Sequence, residues 1–181
     1  MSSIMAFAGS NSSTSINFAL VKYTVSLLSD QKVQVMNMAL FDLEMFSEDY
    51  EKKHGYTNSL IELRDDLHKA DGLILSVNEH NSNPSAYFKN LIDWLSRLER
   101  KFLENTKIFL MSTSYGKRGG MSSLAKVEEI LPRFGGEVVA TFSLPSFKEN
   151  FDAKKGIIDA DLSEAHQKAF SIWLHSLSTD K

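Results

Sequence analysis

Short apolar segments recur along the chain, separated by longer amphipathic stretches. Four compact apolar runs, nearly free of charge, are typical of strands that are buried on both faces of a sheet. They occupy residues 4–8, 73–77, 108–111 and 138–142. A fifth run, VQVMNM at residues 33–38, alternates apolar and polar positions, as a strand near a sheet edge does. The pattern predicts five strands.

The stretches between and after these strands carry helical stripes, with apolar residues three and four positions apart. The first stripe comprises Ile16, Ala19, Leu20, Tyr23 and Leu27. The second comprises Leu60, Leu63, Leu67 and Ala70, and the third comprises Phe88, Leu91, Ile92, Leu95, Leu98 and Phe102. A fourth helix is predicted over about residues 121–134. The last, over about 161–177, is predicted to bury Leu162, Ala165, Ala169, Trp173 and Leu177, with Asp159 or Asp161 as its N-cap.

The alternation of strands and helices predicts a doubly wound parallel sheet, because consecutive parallel strands need right-handed helical crossovers. Five strands favour the order 2-1-3-4-5, which is a flavodoxin-like α/β three-layer sandwich. No repeat or Gly/Pro-rich linker divides the chain, so we expect a single domain over residues 1–181. The polar stretch at residues 47–58, SEDYEKKHGYTN, is predicted to be an exposed loop that could serve a subunit contact.

The composition of the chain excludes several classes of binding partner and of chemistry. The formal net charge is −3 and no long basic run occurs, which argues against nucleic acid or a membrane surface as the main partner. The chain has no cysteine, and this excludes disulfides, thiol nucleophiles, iron–sulfur clusters and cysteine zinc sites. The amino terminus lacks a signal-like segment, and no window is apolar enough for a membrane helix. We therefore expect a cytoplasmic protein that binds small molecules.

Three polar loops follow neighbouring strands of the predicted sheet. They are GSNSSTS at residues 9–15, NEHNSNPS at 78–85 and STSYGKRGG at 112–120. In an open parallel sheet, ligands bind beyond the carboxyl ends of the strands, at the point where the strand order reverses. All three loops contain more Gly, Ser and Asn than simple connections need. Their agreement predicts a ligand site at this edge.

The first loop carries five hydroxyl side chains, which can donate to a phosphate beside the free N–H groups at a helix start. These side chains are Ser10, Ser12, Ser13, Thr14 and Ser15. The loop has no lysine or arginine, and this favours the terminal phosphate of a mononucleotide over a triphosphate with magnesium. The Walker and dinucleotide glycine patterns are both missing. The alternative is that the hydroxyls at residues 13–15 only cap the helix.

The second loop contains His80, which could act as a general acid or base. The alternative is an exposed histidine that forms ordinary hydrogen bonds, since a lone histidine in a polar loop has no partner at ligand spacing. We therefore predict no metal site and no catalytic side chain.

The third loop has Gly116, Gly119 and Gly120, which allow the backbone to approach a flat ligand closely. Tyr115 could stack on a ring. The basic residues at positions 117 and 118 could contact the 2′-phosphate of NADPH, or could simply be solvated.

These motifs resemble the NAD(P)H-dependent FMN reductases, over nearly the whole chain. GSNSSTSIN at residues 9–17 is similar to the family's G-S-x-R-x-x-S-x-N, with Ser12 in place of the arginine. NEHN at 78–81 is similar to P-E-Y-N, with His80 in place of the tyrosine. KNLIDWLSR at 89–97 matches K-N-x-x-D-W-x-S-R and is the most specific of the motifs. STSYGKRGG is similar to S-x-x-G-x-x-G-G.

The resemblance implies FMN as cofactor and NADPH or NADH as hydride donor. It implies that the FMN phosphate is enclosed by Ser10, Ser12, Ser15, Ile16 and Asn17. It implies that the ribityl chain and the ring contact Asn78, Glu79, His80 and Asn81, and that the opposite flank of the ring contacts Ser112, Ser114, Tyr115 and Gly116. The implied reaction passes a hydride to flavin N5 and then electrons to a small acceptor such as a flavin or quinone.

Two other functions stay open. A flavodoxin-like electron carrier would bind FMN but use a protein redox partner, and a flavin supplier would release reduced FMN to a monooxygenase. The resemblance also implies a homodimer or homotetramer. Trp94 and Arg97 could belong to the site or to a subunit contact, although ordinary packing is the simpler interpretation of Trp94.

Overall fold

The computed structural model describes residues 2–178 and contains a parallel sheet of five strands. The strands are β1 Ser3–Ala8, β2 Lys32–Met36, β3 Gly72–Val77, β4 Lys107–Thr113 and β5 Glu137–Leu144. They pair in the order β2-β1-β3-β4-β5, so the predicted order 2-1-3-4-5 and the flavodoxin-like fold class are confirmed. β2 is an edge strand, as predicted, but it ends at Met36 because Asn37 caps a short 3₁₀ turn.

Seven α-helices lie in the described part of the chain. They are α1 Ile16–Ser26, α2 Glu48–His54, α3 Asn58–Lys69, α4 Ala86–Leu98, α5 Met121–Ile130, α6 Phe147–Asn150 and α7 Ala160–Ser176. Two 3₁₀ turns, Met38–Leu40 and Leu131–Phe134, and two small hairpins complete the secondary structure. Within residues 2–178, no helix combines the length and the apolar character needed to cross a membrane.

Side chains alternate across the strands and build one apolar cluster on each face of the sheet. Met5 and Phe7 of β1 face the layer of α3, α4 and α5, whereas the intervening Ala6 faces α1 and α7. On the first face the predicted stripes are confirmed, because Leu60, Leu63, Leu67 and Ala70 are all buried. The third stripe holds as far as Leu98, which is half-buried, but α4 ends there, and Phe102 is buried from the turn that follows.

On the second face the predicted stripes are partly wrong. α1 buries Asn17, Leu20, Val21 and Thr24, while Leu27 is 41% exposed. The helix is therefore rotated from the predicted face, because two of its polar side chains find hydrogen-bond partners in the interior.

α7 buries Trp173 and Leu177 as predicted, and Leu162 and Ala169 are half-buried. Ala165 is exposed, however, and the helix also buries His166 and Phe170. The hydroxyl of Thr24 lies 2.9 Å from His166 Nε2, which connects the two helices beneath the sheet. The N-cap is Asp159, whose carboxylate accepts from the N–H of Leu162.

The predicted loop at residues 47–58 is wrong, because it contains α2 and the start of α3. Ser47 caps α2 by accepting from the N–H of Tyr50, acidic residues occupy its first turn and basic residues its last. This charge distribution complements the helix dipole.

Trp94 is buried beside this segment. Its indole N–H donates to the carbonyl of Glu44, and the rings of Tyr50 and Tyr56 meet it edge-on. The packing interpretation of Trp94 is confirmed. Arg97 forms an ion pair with Glu51, with a closest distance of 2.9 Å between Nη2 and Oε2.

Candidate functional site

The three polar loops meet in one open cleft of about 250 Å³, beyond the carboxyl ends of β1, β3 and β4. The lining residues are Ser10, Ser12, Thr14, Ser15, Ile16, Asn17, Asn78, Glu79, His80, Thr113, Ser114 and Tyr115. The structure thus brings together every predicted site residue except Asn81, Ser112 and Gly116. Thr14, which the hydroxyl pattern of the first loop already offers as a phosphate donor, also lines the cleft, and Thr113 joins it from the third loop; Ser13 does not line it.

Gly9 positions the first loop. Its N–H donates to the carbonyl of Ser76 on β3, and its carbonyl accepts from the hydroxyl of Ser85, the N-cap of α4. A Cβ at this position would lie 2.6 Å from the ring of Phe88. Only glycine therefore lets the chain pass this close to α4 before it turns into the cleft.

A chain of short-range hydrogen bonds shapes the rest of this loop. Ser10 Oγ accepts from the N–H of Ser12, and Ser12 Oγ accepts from the N–H of Thr14, both at 3.3 Å. Ser15 Oγ caps α1 by accepting from the N–H of Phe18. The capping alternative is thus correct for Ser15, but a hydroxyl that accepts still has its own proton to donate.

The amino end of α1 faces the cleft. In the described part of the chain, the N–H groups of Ile16 and Asn17 have no hydrogen-bond acceptor. Such free N–H groups, together with the positive end of the helix dipole, favour a bound anion. No lysine or arginine is among the residues that line the cleft.

Asn17 clamps α1 to the sheet. Its side-chain amide donates to the carbonyl of Thr113 on β4, and its Oδ1 accepts from the hydroxyl of Ser76 and the N–H of Thr113. The side-chain amide of Asn17 therefore bonds within the protein, and only its backbone N–H remains for a ligand.

The second loop is tied to α5 by Glu79. The Oε2 atom of Glu79 accepts from the N–H groups of Ser122 and Ser123, at 2.8 and 3.0 Å. α5 needs this carboxylate, since its N-cap is Gly120 and provides no side-chain acceptor. The hydroxyl of Ser123 also donates to the carbonyl of Asn78. Glu79 lines the cleft, but its carboxylate is occupied at the start of the helix.

Asn78 and His80 present the polar edge of the cleft. His80 is exposed, and its Nε2 lies 3.2 Å from the amide nitrogen of Asn78. The Oδ1 atom of Asn78 is buried and has no hydrogen-bond partner. Since a buried amide oxygen without a donor is costly, this atom is prepared to accept a hydrogen bond from a ligand.

Asn81 does not reach the cleft. It forms, with Ser82, the tip of the hairpin between Glu79–His80 and Asn83–Pro84. Both tip residues have positive φ, 51° and 58°, as two-residue hairpin turns that follow the strand twist require. Lys126 fixes the tip by donating to the carbonyl of Ser82.

Ser112 and Gly116 also lie off the cleft. Ser112 is fully buried and donates to the carbonyl of Gly119, so its hydroxyl shapes the glycine turn instead of facing the site. Gly116 is exposed beyond Tyr115, which is itself 61% exposed on the rim of the cleft. Arg118 donates to the hydroxyl of Ser122.

The cleft fits a flavin mononucleotide. One end offers free N–H groups and hydroxyl donors for a phosphate, and the other offers an unpartnered amide oxygen at Asn78 and a tyrosine face at Tyr115. Within residues 2–178, no group of three or more His, Asp or Glu side chains is placed to hold a metal ion.

A five-stranded parallel sheet in the order 2-1-3-4-5, with a hydroxyl-rich cleft at its carboxyl edge, defines a flavodoxin-like protein. The chain belongs to the NADPH-dependent FMN reductase family, whose sequence model matches residues 2–149. The resemblance seen in the loop motifs is thus confirmed. The protein is an oxidoreductase with FMN as its cofactor and a reduced nicotinamide as its electron donor.

Individual relatives agree with this assignment. A quinone reductase of Escherichia coli K12 is 25% identical over 86% of this chain and 87% of its own length. An NAD(P)H-dependent FMN reductase of Pseudomonas aeruginosa is 23% identical over 96% of both chains. The solved structure of a flavoenzyme NAD(P)H:(acceptor) oxidoreductase from Paracoccus denitrificans superimposes with a TM-score of 0.79, covering 98% of this chain and 97% of that one. At 19% identity, this last likeness shows the shared fold.

Proposed function

We propose that the protein holds FMN in the cleft between the three loops. It uses FMN to oxidise NADPH or NADH and to reduce a small acceptor, such as a quinone or a free flavin. The observation that carries this proposal is the pairing of free N–H groups at the start of α1 with the unpartnered amide oxygen of Asn78 in one cleft. FMN held in this cleft would supply the chemistry of hydride acceptance and onward electron transfer.

At the phosphate end, the N–H groups of Ile16 and Asn17 and the hydroxyls of Ser10, Ser12 and Ser15 supply the donors. The helix dipole adds roughly 0.3–1 kcal/mol at such an end. With Ser12 at the position of the family's arginine, a hydrogen bond between charged groups is absent, which weakens binding by about 1.5–3 kcal/mol. We therefore expect FMN to exchange with solvent.

At the ring end, Asn78 accepts a hydrogen bond and Tyr115 and His80 border the open side. Since both border residues are exposed, the nicotinamide and the acceptor reach the same face in turn. Glu79, held by two N–H groups of α5, positions this wall and takes no proton from the substrate. No side chain acts as an acid or base in this proposal.

The test is to titrate the purified protein with FMN and then reduce it anaerobically with NADPH and with NADH. We expect saturable FMN binding and bleaching of the flavin absorption by at least one nicotinamide. An electron carrier would bind FMN but stay oxidised without a separate reductase. Loss of yellow colour on gel filtration would fit an exchanging oxidoreductase as well as a flavin supplier, so a flavin supplier is recognised by turnover with free FMN and none with a quinone. Failure to bind FMN at saturating concentration contradicts the proposal.

A matched pair of variants locates the phosphate. Ser12→Arg should tighten FMN binding by roughly 10- to 100-fold, because it restores a charge-assisted contact in the cleft. Ser13→Arg adds the same charge one residue away, outside the cleft lining, and should have a much smaller effect. Equal effects of the two variants would place the phosphate elsewhere.

The domain boundaries at 1–181, the cytoplasmic location and the homodimer or homotetramer stay predictions. The side chains of Leu40 and Met45 are 82% and 67% exposed, and such large apolar surfaces support a subunit contact. Light scattering coupled to gel filtration measures the oligomeric state.

A further inference from the structure

A second cleft of about 380 Å³ lies on the outer side of α1. One wall is formed by α1, with Lys22 and Tyr23, and the other by the hairpin that joins Phe151–Asp152 to Gly156–Ile157. The hairpin contributes Lys154 and Lys155 to the lining. We refer to this space as the basic cleft.

The basic cleft concentrates positive charge on a chain whose net charge is −3. Lys22, Lys154 and Lys155 are exposed, and none of them has a carboxylate within ion-pair distance in residues 2–178. The nearby Asp152 is engaged by the backbone, since its Oδ1 accepts from the N–H groups of Lys154 and Lys155 at 2.8 and 2.9 Å. That aspartate holds the turn, and the three ammonium groups remain available to an anion.

The walls of the basic cleft are firmly packed. Gly156 has φ +79°, and a Cβ there would overlap the ring of Tyr23. The rings of Tyr23 and Phe151 meet edge to face, with centroids 5.8 Å apart. The cleft is therefore a formed feature, in which an aromatic surface lies beside the lysines.

A row of aromatic rings connects the basic cleft to the cleft between the three polar loops, which we call the FMN cleft. Tyr115 on the rim of the FMN cleft lies 6.5 Å from Phe147, which stacks on Phe151 at 4.7 Å. Phe151 in turn contacts Tyr23 in the basic cleft. Lys148 lies over the ring of Tyr115, with Nζ 5.0 Å from its centroid, and adds a further positive charge along the row.

We propose that the basic cleft binds the phosphorylated adenosine end of NADPH, while its nicotinamide end reaches the FMN cleft along this aromatic row. A ligand that fits both clefts must be long, carry a concentrated negative charge at one end and have flat rings, and NADPH meets all three requirements. The extra 2′-phosphate distinguishes it from NADH, so the three lysines select the donor. This inference rests on the proposed function, because it takes a nicotinamide as the substrate.

A different basic pair, Lys117 and Arg118, lies in the loop after β4 and is the competing candidate for the 2′-phosphate. Arg118 is already bonded to Ser122, and neither residue lines the FMN cleft or the basic cleft. This pair therefore provides a matched control with the same kind of charge at another place.

The experiment measures binding of adenosine 2′,5′-bisphosphate by calorimetry to the full chain saturated with FMN. Lys22→Gln/Lys154→Gln/Lys155→Gln should weaken this binding by about tenfold, because three exposed charge contacts are lost together. Lys117→Gln/Arg118→Gln should leave it unchanged. In steady state, the triple variant should raise KM for NADPH by a similar factor without changing kcat, and should alter KM for NADH little.

Three outcomes overturn the inference. They are bisphosphate binding that is equal in the triple variant and the wild type, binding that is lost in the Lys117/Arg118 variant instead, and adenosine 5′-monophosphate binding as tightly as the bisphosphate. FMN titration is an independent readout, since none of the three lysines lines the FMN cleft. Bisphosphate binding that depends on the lysines in a protein that never takes up FMN would support the anion site and contradict the proposed function.

Discussion

The two helical layers that cover the sheet meet it in different ways. Beneath α3, α4 and α5 the strands contact apolar side chains, and the buried amide of Asn90 turns outward to the backbone of Glu44 and Phe46. Beneath α1 and α7, buried polar groups such as Asn17 and His166 lie among the apolar side chains and bond across elements. Directional bonds fix a helix along and around its axis more strictly than apolar contacts do. The layer with the directional bonds contains α1, the helix that begins at the cleft between the three polar loops.

The largest effect should come from the apolar layer. Leu67→Ala should lower the free energy of unfolding by about 3 kcal/mol, because a fully buried leucine leaves a cavity. Leu27→Ala is the control, since the periodicity places Leu27 on the buried stripe whereas the structure exposes it; its effect should stay within about 0.5 kcal/mol. Urea denaturation at pH 7 measures both. Similar losses would mean that α1 buries the predicted stripe.

In the layer of α1 and α7, a loss of stability of comparable size is expected on acidification, at His166. Burial among aromatic rings lowers the pKa of His166 from 6.5 to about 4. As the pH falls from 6.5 to 4, the unfolded chain takes up a proton that the folded chain excludes, so stability falls by about 3 kcal/mol over this window.

His166→Gln should flatten this part of the pH dependence, and His175→Gln, at an exposed position of the same helix, should not. Urea denaturation at pH 7.0, 5.5 and 4.5 gives the three profiles. Parallel profiles for wild type and His166→Gln would show that folding does not lower the pKa of this histidine.

A smaller loss is expected at the Asn17 clamp. Asn17→Ala should lower the free energy of unfolding by about 2 kcal/mol, because the hydroxyl of Ser76 and the N–H of Thr113 lose their buried acceptor. Asn11→Ala, at an exposed position of the loop before α1, should change stability by less than about 0.5 kcal/mol. Equal stability of both variants would indicate that water replaces the amide.

The smallest effect compares the caps of helices on the two faces. Ser15 and Thr57 accept from the third residue of α1 and α3, so Ser15→Ala and Thr57→Ala should each reduce stability by about 1 kcal/mol. FMN affinity should fall only in Ser15→Ala, because Ser15 lines the cleft. A loss of FMN affinity in Thr57→Ala would point to an indirect effect of stability.

The sequence was sufficient to predict the five strands of the sheet, because short apolar runs without charges are typical of strands buried on both faces. It was also sufficient for α3, whose buried face is wholly apolar. It was incomplete for the faces of α1 and α7, since a count of apolar positions cannot show that Asn17, Thr24 and His166 have buried partners. It missed α2 because that helix buries no residue and so has no stripe.

The same limit applies to the site. The loop motifs led to most of the cleft, since loops after parallel strands converge on one edge. They did not show that Glu79 serves α5, because its partners lie 43 and 44 residues further along the chain. They also did not show that Asn81 is a turn tip, although the two-residue spacing between short extended segments is a signal that could have been used.

The close approach of Gly9 to Phe88 matters for anyone who transplants this loop into another scaffold. The glycine carries the main chain across an aromatic ring that belongs to a helix nearly eighty residues downstream. A grafted loop would need that ring, and a helix at the same height, to recover its path. A transplant must therefore carry the strand, the turn and the distant helix together. The contiguous loop peptide alone would not keep its backbone conformation.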